Sequence, residues 1–205
     1  MKTRQIHYFS GIFISLFISV HLLNHLAAVV GISEHIAYMN KFRQVYRNPV
    51  VEYLLLLSVI LQIISGIQLF FKKRQQVQNL FEKIQIWSGL YLAMFFIIHI
   101  SAVLAGRFVL QLDTNVYFGI AGMNTFPFNL FFIPYYFLAI LSYFGHIAAI
   151  HQQKMKHTLL GISPHSQSFG ILSFGFLISC IILGSLTNWF QGIEIPKEFH
   201  VLIGK

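Results

Sequence analysis

Five stretches of this chain carry no Asp, Glu, Lys or Arg: residues 5–33, 53–71, 84–106, 114–153 and 157–193. Each is long enough to cross a bilayer core of about 30 Å, which takes about 20 apolar residues in a helix. Only 20 of the 205 residues are charged, whereas a soluble domain carries about a quarter. Together these facts exclude a soluble enzyme, a disulfide scaffold and a disordered tail. The chain reads as one integral membrane domain, residues 1–205, all α-helical.

The apolar pattern predicts transmembrane helices over about 8–30, 50–71, 85–106, 130–151 and 168–190. The uncharged stretch 114–153 is long enough for two spans. Its first part is punctuated by Asn115, Gly119, Gly122, Asn124 and Pro127, so it reads as a loop or short interfacial helix followed by one span. Met1 to Arg4 before an apolar run imitates a signal peptide. The run continues to about Val30 with no small-residue cleavage site near a short core, so a retained helix is expected.

The formal charge of +8 lies at the ends of the apolar stretches, where it serves topology and lipid headgroups rather than a nucleic-acid groove. With the N-terminus in the cytoplasm, inner segments hold Lys2, Arg4, Lys72, Lys73, Arg74, Lys83, Lys154 and Lys156. Outer segments hold Lys41, Arg43, Arg47, Arg107, Lys197 and Lys205. That excess predicts a bacterial cytoplasmic membrane protein with its N-terminus inside. Segment 33–48 has Ile36, Met39, Phe42 and Tyr46 at helical spacing, as in a helix lying in the outer interface. The single cysteine, Cys180, cannot form a bridge within the chain and indicates no redox compartment.

An internal repeat organises the first four helices. A shift of 78 residues maps Ile6–Gly11 onto Ile84–Gly89, Phe17 onto Phe95 and His21 onto His99. The first and third helices thus share a Ser-Gly start and a histidine ten residues after the glycine. The second and fourth resemble one another more faintly, with Gln62 and His146 at comparable places after Tyr53 and Tyr136. A duplicated hairpin of this kind predicts a four-helix core plus one peripheral helix.

Ionisable groups inside a membrane are costly and mark function by default. His21, His25, His99 and His146 qualify by depth. His21 and His99 lie at the same height, slightly toward the outer half. The 100° helical step puts Ser10, His21 and His25 on one face, and Ser88 and His99 on another. Two neutral imidazoles facing one another in an apolar bundle suit the axial positions of a b-type haem, which then passes electrons rather than binding oxygen. No Cys-x-x-Cys-His is present, so a covalently attached haem is excluded. A single intramembrane histidine also serves as a helix–helix hydrogen-bonding group, and for His25 and His146 both readings stay open.

The segments Ile6–Leu26 and Gln85–Ile100, each opening with Ser-Gly and carrying a mid-membrane histidine, resemble the cytochrome b membrane anchor of succinate dehydrogenase and fumarate reductase. The five-helix layout is similar to the single-subunit, haem-containing anchors of that superfamily. The resemblance implies that His21 and His99 ligate a haem near the outer face. A second haem near the cytoplasm needs His146 and a histidine on the second helix, where Gln62 stands instead. It implies exchange of electrons with quinone, and flavoprotein and iron–sulfur partners on the cytoplasmic face. On this reading the chain is a quinone-reactive subunit of an oxidoreductase, with one haem b, or two, as cofactor.

His7, His151, His157 and His165 are expected at the cytoplasmic ends, facing solvent or headgroups. An inner haem, if present, gives His151 a propionate to bond. Glu52 opens the second helix at the level of the outer pair. It reads either as the acceptor of a proton from quinol or as an interfacial residue that fixes the helix end. Two other function classes remain. His21–His25 and His146–His151 put imidazoles on one face as in membrane di-iron lipid hydroxylases and desaturases, which normally also carry adjacent His-His pairs. A histidine-lined transporter is the other, although no span is clearly broken at mid-depth.

Overall fold

The helix boundaries fall where the sequence places its caps. In the computed structural model, which describes residues 3–205, seven α-helices follow in order: α1 Thr3–Leu26, α2 Ile32–Tyr46, α3 Pro49–Lys73, α4 Leu80–Phe108, α5 Val116–Ile120, α6 Asn129–Lys154 and α7 Pro164–Leu186. Asn48 accepts from the Val50 amide (3.1 Å) ahead of Pro49. Asn79 and Glu82 form a reciprocal capping box at the start of α4. Ser163 caps α7 with Pro164 in its first turn. These are the residue types that satisfy the unpaired amides of a first turn.

Five of the helices, α1, α3, α4, α6 and α7, are long and apolar enough to cross a membrane. They carry the five expected spans, with ends within a few residues of those read from the sequence. Large apolar side chains such as Leu16, Leu23, Ile60, Trp87, Met94 and Phe174 point away from the bundle. That suits hydrocarbon as the surrounding medium, since water would not leave so much apolar surface exposed. The protein is an all-helical integral membrane protein. Lys2, counted above among the inner charges, lies outside the described residues.

Around the core, α1 packs on α3, α3 on α4 and α4 on α6, while α1 and α6 lean apart. Tyr143 spans that opening. Its hydroxyl donates to the Ser15 carbonyl (3.2 Å) and lies 3.3 Å from the Ser19 hydroxyl. Helix α7 lies outside this ring against α6. The two helices approach closely at Gly175, where an added Cβ would stand 2.3 Å from Phe144 Cβ. Although outside the ring, α7 is the most buried of the five spans, because its C-terminal half sits beneath a cap.

That cap closes one end of the bundle. It consists of α2, the short helix α5 and the C-terminal segment, with Phe199 fully buried against Tyr117. Asn124 pins three pieces together. Its amide donates to the carbonyls of Ile120 and Leu186 (both 3.0 Å), and its Oδ1 accepts from the Ile193 amide (2.9 Å). Arg43 pairs with Asp113 at 2.8 Å, and Arg47 donates to Thr114 at 2.9 Å. These contacts hold α2, a helix where the 33–48 pattern predicts one, against the loop after α4. The opposite, basic end carries Arg4, Lys72, Lys73, Arg74, Lys83, Lys154 and Lys156 with a single acid, Glu82.

Candidate functional site

Two histidine pairs face one another inside the ring. Toward the capped end, the rings of His21 on α1 and His99 on α4 are 6.4 Å apart, centre to centre, at an interplanar angle of 65°. Toward the basic end, the rings of His7 on α1 and His146 on α6 are also 6.4 Å apart, at 69°. The first pair is the one the repeat predicts. The repeat extends to its support, because Phe17 stacks on His21 (17°) and Phe95 on His99 (13°).

The second pair corrects two expectations. His7 does not face headgroups, and the partner of His146 comes from α1 rather than from the second membrane helix. Each of these histidines is held by a Ser-Gly step on a neighbouring helix. His7 Nδ1 lies 3.0 Å from Ser65 Oγ, and its Cε1 sits 3.4 Å from where a Cβ on Gly66 would be. His146 Nδ1 lies 3.2 Å from Ser88 Oγ and 3.1 Å from the Gln85 carbonyl, with Cε1 3.1 Å from the Cβ position of Gly89. The serine supplies a polar partner and the glycine supplies the space. Ser10–Gly11 forms a third seat, which takes Gln62. Ser10 donates to Gln62 Oε1 at 2.7 Å, and Gln62 Nε2 donates to His7 Nε2 at 3.2 Å. Ser88 therefore supports a histidine, whereas Ser10 supports the glutamine beside one.

A cavity of about 880 Å³ opens against the second pair, bordered by Gly11, Ser15, Gly89, Ala93 and Tyr143. Arg4, Lys73 and Lys154 stand at its basic rim. That volume lies within the range of about 300–1,000 Å³ usual for cofactor pockets.

His25 touches His21 and links the pair to the cap. Its Nε2 lies 3.1 Å from His21 Nε2, and its Nδ1 lies 3.1 Å from Nε2 of His35 on α2. Asn24 Nδ2 adds a contact to His35 Nε2 at 3.3 Å. Burial holds His35 down at about 4, with His21 and Arg43 adding to the effect. His35 was missed because the α2 pattern was read from its apolar residues alone. A histidine four residues before Met39 on the inward face was the available sign.

The remaining expected residues are placed as follows. Glu52 forms an ion pair with Arg107 that ties the start of α3 to the end of α4, which supports its role at the helix end. His151 Nε2 bonds Gln167 Oε1 (2.9 Å), joining α6 to α7. His157 is exposed. His165, also exposed, packs edge-on to Phe81 and Phe169.

The arrangement fits haem on three counts. A metal–imidazole bond is about 2.0 Å, and about 1.1 Å more reaches the ring centre, so two imidazoles on one metal stand about 6.2 Å apart, close to the 6.4 Å of both pairs. A ligating histidine normally spends its other ring N–H on a carbonyl or similar partner. His146 does so through Nδ1, which leaves Nε2 to serve as the ligand. Third, the cavity lies against one pair. Gln62 stands on the lone pair of His7, and His25 Nε2 stands 3.1 Å from His21 Nε2, so both must turn aside for these histidines to ligate through Nε2. Among the described residues no three His, Cys, Asp or Glu side chains converge to hold a metal ion, so the di-iron reading finds no ligand cluster.

Fold and site thus define an all-helical membrane protein with two facing histidine pairs. No family model, curated protein or solved structure matches the chain.

Proposed function

We propose that the protein is a transmembrane electron carrier that holds b-type haem between His21 and His99, and a second between His7 and His146. It exchanges electrons with membrane quinone as the anchor of a succinate dehydrogenase or fumarate reductase-like complex. The observation that carries this reading is the repeated 6.4 Å ring separation at two levels of one bundle.

A haem with two imidazole ligands supplies one-electron transfer and leaves no iron position open to oxygen. The chain's own residues do the rest. Phe17 and Phe95 fix the planes of His21 and His99 by stacking. Ser65 and Ser88, with the Gln85 carbonyl, fix the rotation of His7 and His146. Arg4, Lys73 and Lys154 give the basic end a positive rim, which suits both a cytoplasmic N-terminus and an anionic partner.

The test is a reduced-minus-oxidised optical spectrum of the detergent-purified protein with haem quantified per chain. Two b-type haems are expected, falling to one in His99→Ala and to one in His146→Ala. Absence of haem after expression with adequate haem supply overturns the proposal.

A further inference from the structure

On and beneath α2, four buried polar atoms have no hydrogen-bond partner among the described residues: Asn24 Oδ1, His35 Nδ1, and Nε and Nη2 of Arg43. Asn24 is 5% exposed and His35 2%. The Arg43 side chain is 12% exposed, and only its Nη1 is used, by Asp113. An unanswered buried donor costs about 1–3 kcal/mol, and more when charged, so a cluster of them signals a missing partner.

Proton placement gives the chemistry of that partner. With the Asn24 amide as placed, Nδ2–H donates to His35 Nε2, which leaves the His35 proton on Nδ1. His25 Nδ1 lies 3.1 Å from the same His35 nitrogen. The open atoms are therefore three N–H donors, two of them on a guanidinium, beside one amide oxygen. Donors of that kind call for a carboxylate, which a guanidinium grips through two parallel bonds.

Location gives its source. His35, Met39, Arg43 and Tyr46 follow one another down the inward face of α2. His35 contacts His25, Tyr46 contacts Phe17, and both of those residues contact His21. Arg43 sits between these two contacts, close enough to His35 to oppose its protonation. The open donors thus border the His21–His99 pair on its capped side.

We propose that Arg43, with His35 and Asn24, binds the propionate carboxylates of the haem held by His21 and His99. The inference rests on the haem reading above. It assigns α2 a cofactor-binding role in place of a purely interfacial one.

The test uses the full-length His146→Ala protein, which keeps only the capped-end pair, prepared without haem. It is titrated with haem and with haem dimethyl ester, whose carboxylates are masked, following the Soret band. Haem is expected to bind at least tenfold more tightly than the ester. Arg43→Gln should remove most of that preference while leaving ester affinity unchanged, and Arg43→Lys should restore part of it. Equal affinity for acid and ester, or equal loss of both in Arg43→Gln, overturns the assignment and leaves the donors to water. If neither porphyrin binds, the haem reading itself has failed and this inference with it.

Discussion

The ring of His7 lies 6.4 Å from that of His146, although the duplicated hairpin gives the two residues non-equivalent positions. In the repeat His7 corresponds to Gln85, and Gln62 corresponds loosely to His146. Each hairpin thus contributes one histidine and one glutamine at this level, in opposite order. The glutamines remain beside the pair, Gln62 at His7 Nε2 and the Gln85 carbonyl at His146 Nδ1.

The glycine seats are testable by adding one methyl group. Gly89→Ala places a Cβ 3.1 Å from His146 Cε1, and Gly66→Ala places one 3.4 Å from His7 Cε1. The first should displace His146 and lower haem from two to one per chain by haemochrome assay. The second contact is looser and should cost less occupancy. Unchanged haem in Gly89→Ala would contradict the seating argument.

His25→Ala should keep both haems, because His25 faces His35 and the cap, and binds no iron in this reading. Loss of the capped-end haem in this variant, matching that in His99→Ala, would make His25 the ligand in place of His21. Low-temperature spectra, which resolve the two haem bands, provide the comparison.

Glu52→Gln breaks the ion pair with Arg107, whose side chains are only 25% and 22% exposed. The expected loss is about 1–2 kcal/mol, or a few degrees in thermal midpoint for a chain of this length. Haem reduction by quinol should stay within about twofold of wild type if Glu52 fixes the helix end. A collapse of that rate at unchanged stability would instead assign it the proton.

His35 ties stability to pH. Its folded value of about 4 lies below the ordinary 6.5, so below pH 6.5 the unfolded chain takes up a proton that the folded chain refuses. The contribution is present in full above pH 6.5 and is lost as pH falls toward about 4, by on the order of 3 kcal/mol at most. His35→Gln keeps a hydrogen-bonding group without the titration. Its thermal midpoint should fall less steeply between pH 6.5 and 4, and an identical slope would dismiss the assignment.

Packing of α7 offers a matched pair on a single helix. Gly175→Ala meets Phe144 at its Cβ, too close to the α6 backbone for a rotamer change to relieve, and should cost about 1–3 kcal/mol or more. Gly170→Ala meets nothing within 4 Å and should be neutral or slightly stabilising.

The parts of this fold that depend on local sequence were legible in it. Charge-free runs located the five spans, with ends within a few residues of those in the structure. The His21–His99 pair was legible because the repeat put both histidines at one depth on parallel helices. His7 was not, because depth alone placed it at a membrane edge. Only the approach of α3 reveals that Ser65–Gly66 turns it inward. His35 and Arg43 were hidden for a related reason. The apolar pattern of α2 named the face toward the bundle, but not the polar side chains at its margins, whose partners come from α1 and the loop after α4.

One helix, α1, carries a member of both histidine pairs. Fourteen residues separate His7 from His21, which at about 1.5 Å per residue is about 21 Å along a single unbroken axis. The spacing between the two levels is therefore ruled by covalent geometry and backbone hydrogen bonds, not by how tightly neighbouring helices pack. Lipid thickness or detergent can tilt the bundle or loosen its seams, yet this interval stays fixed, much as marks on a ruler do when the ruler is turned.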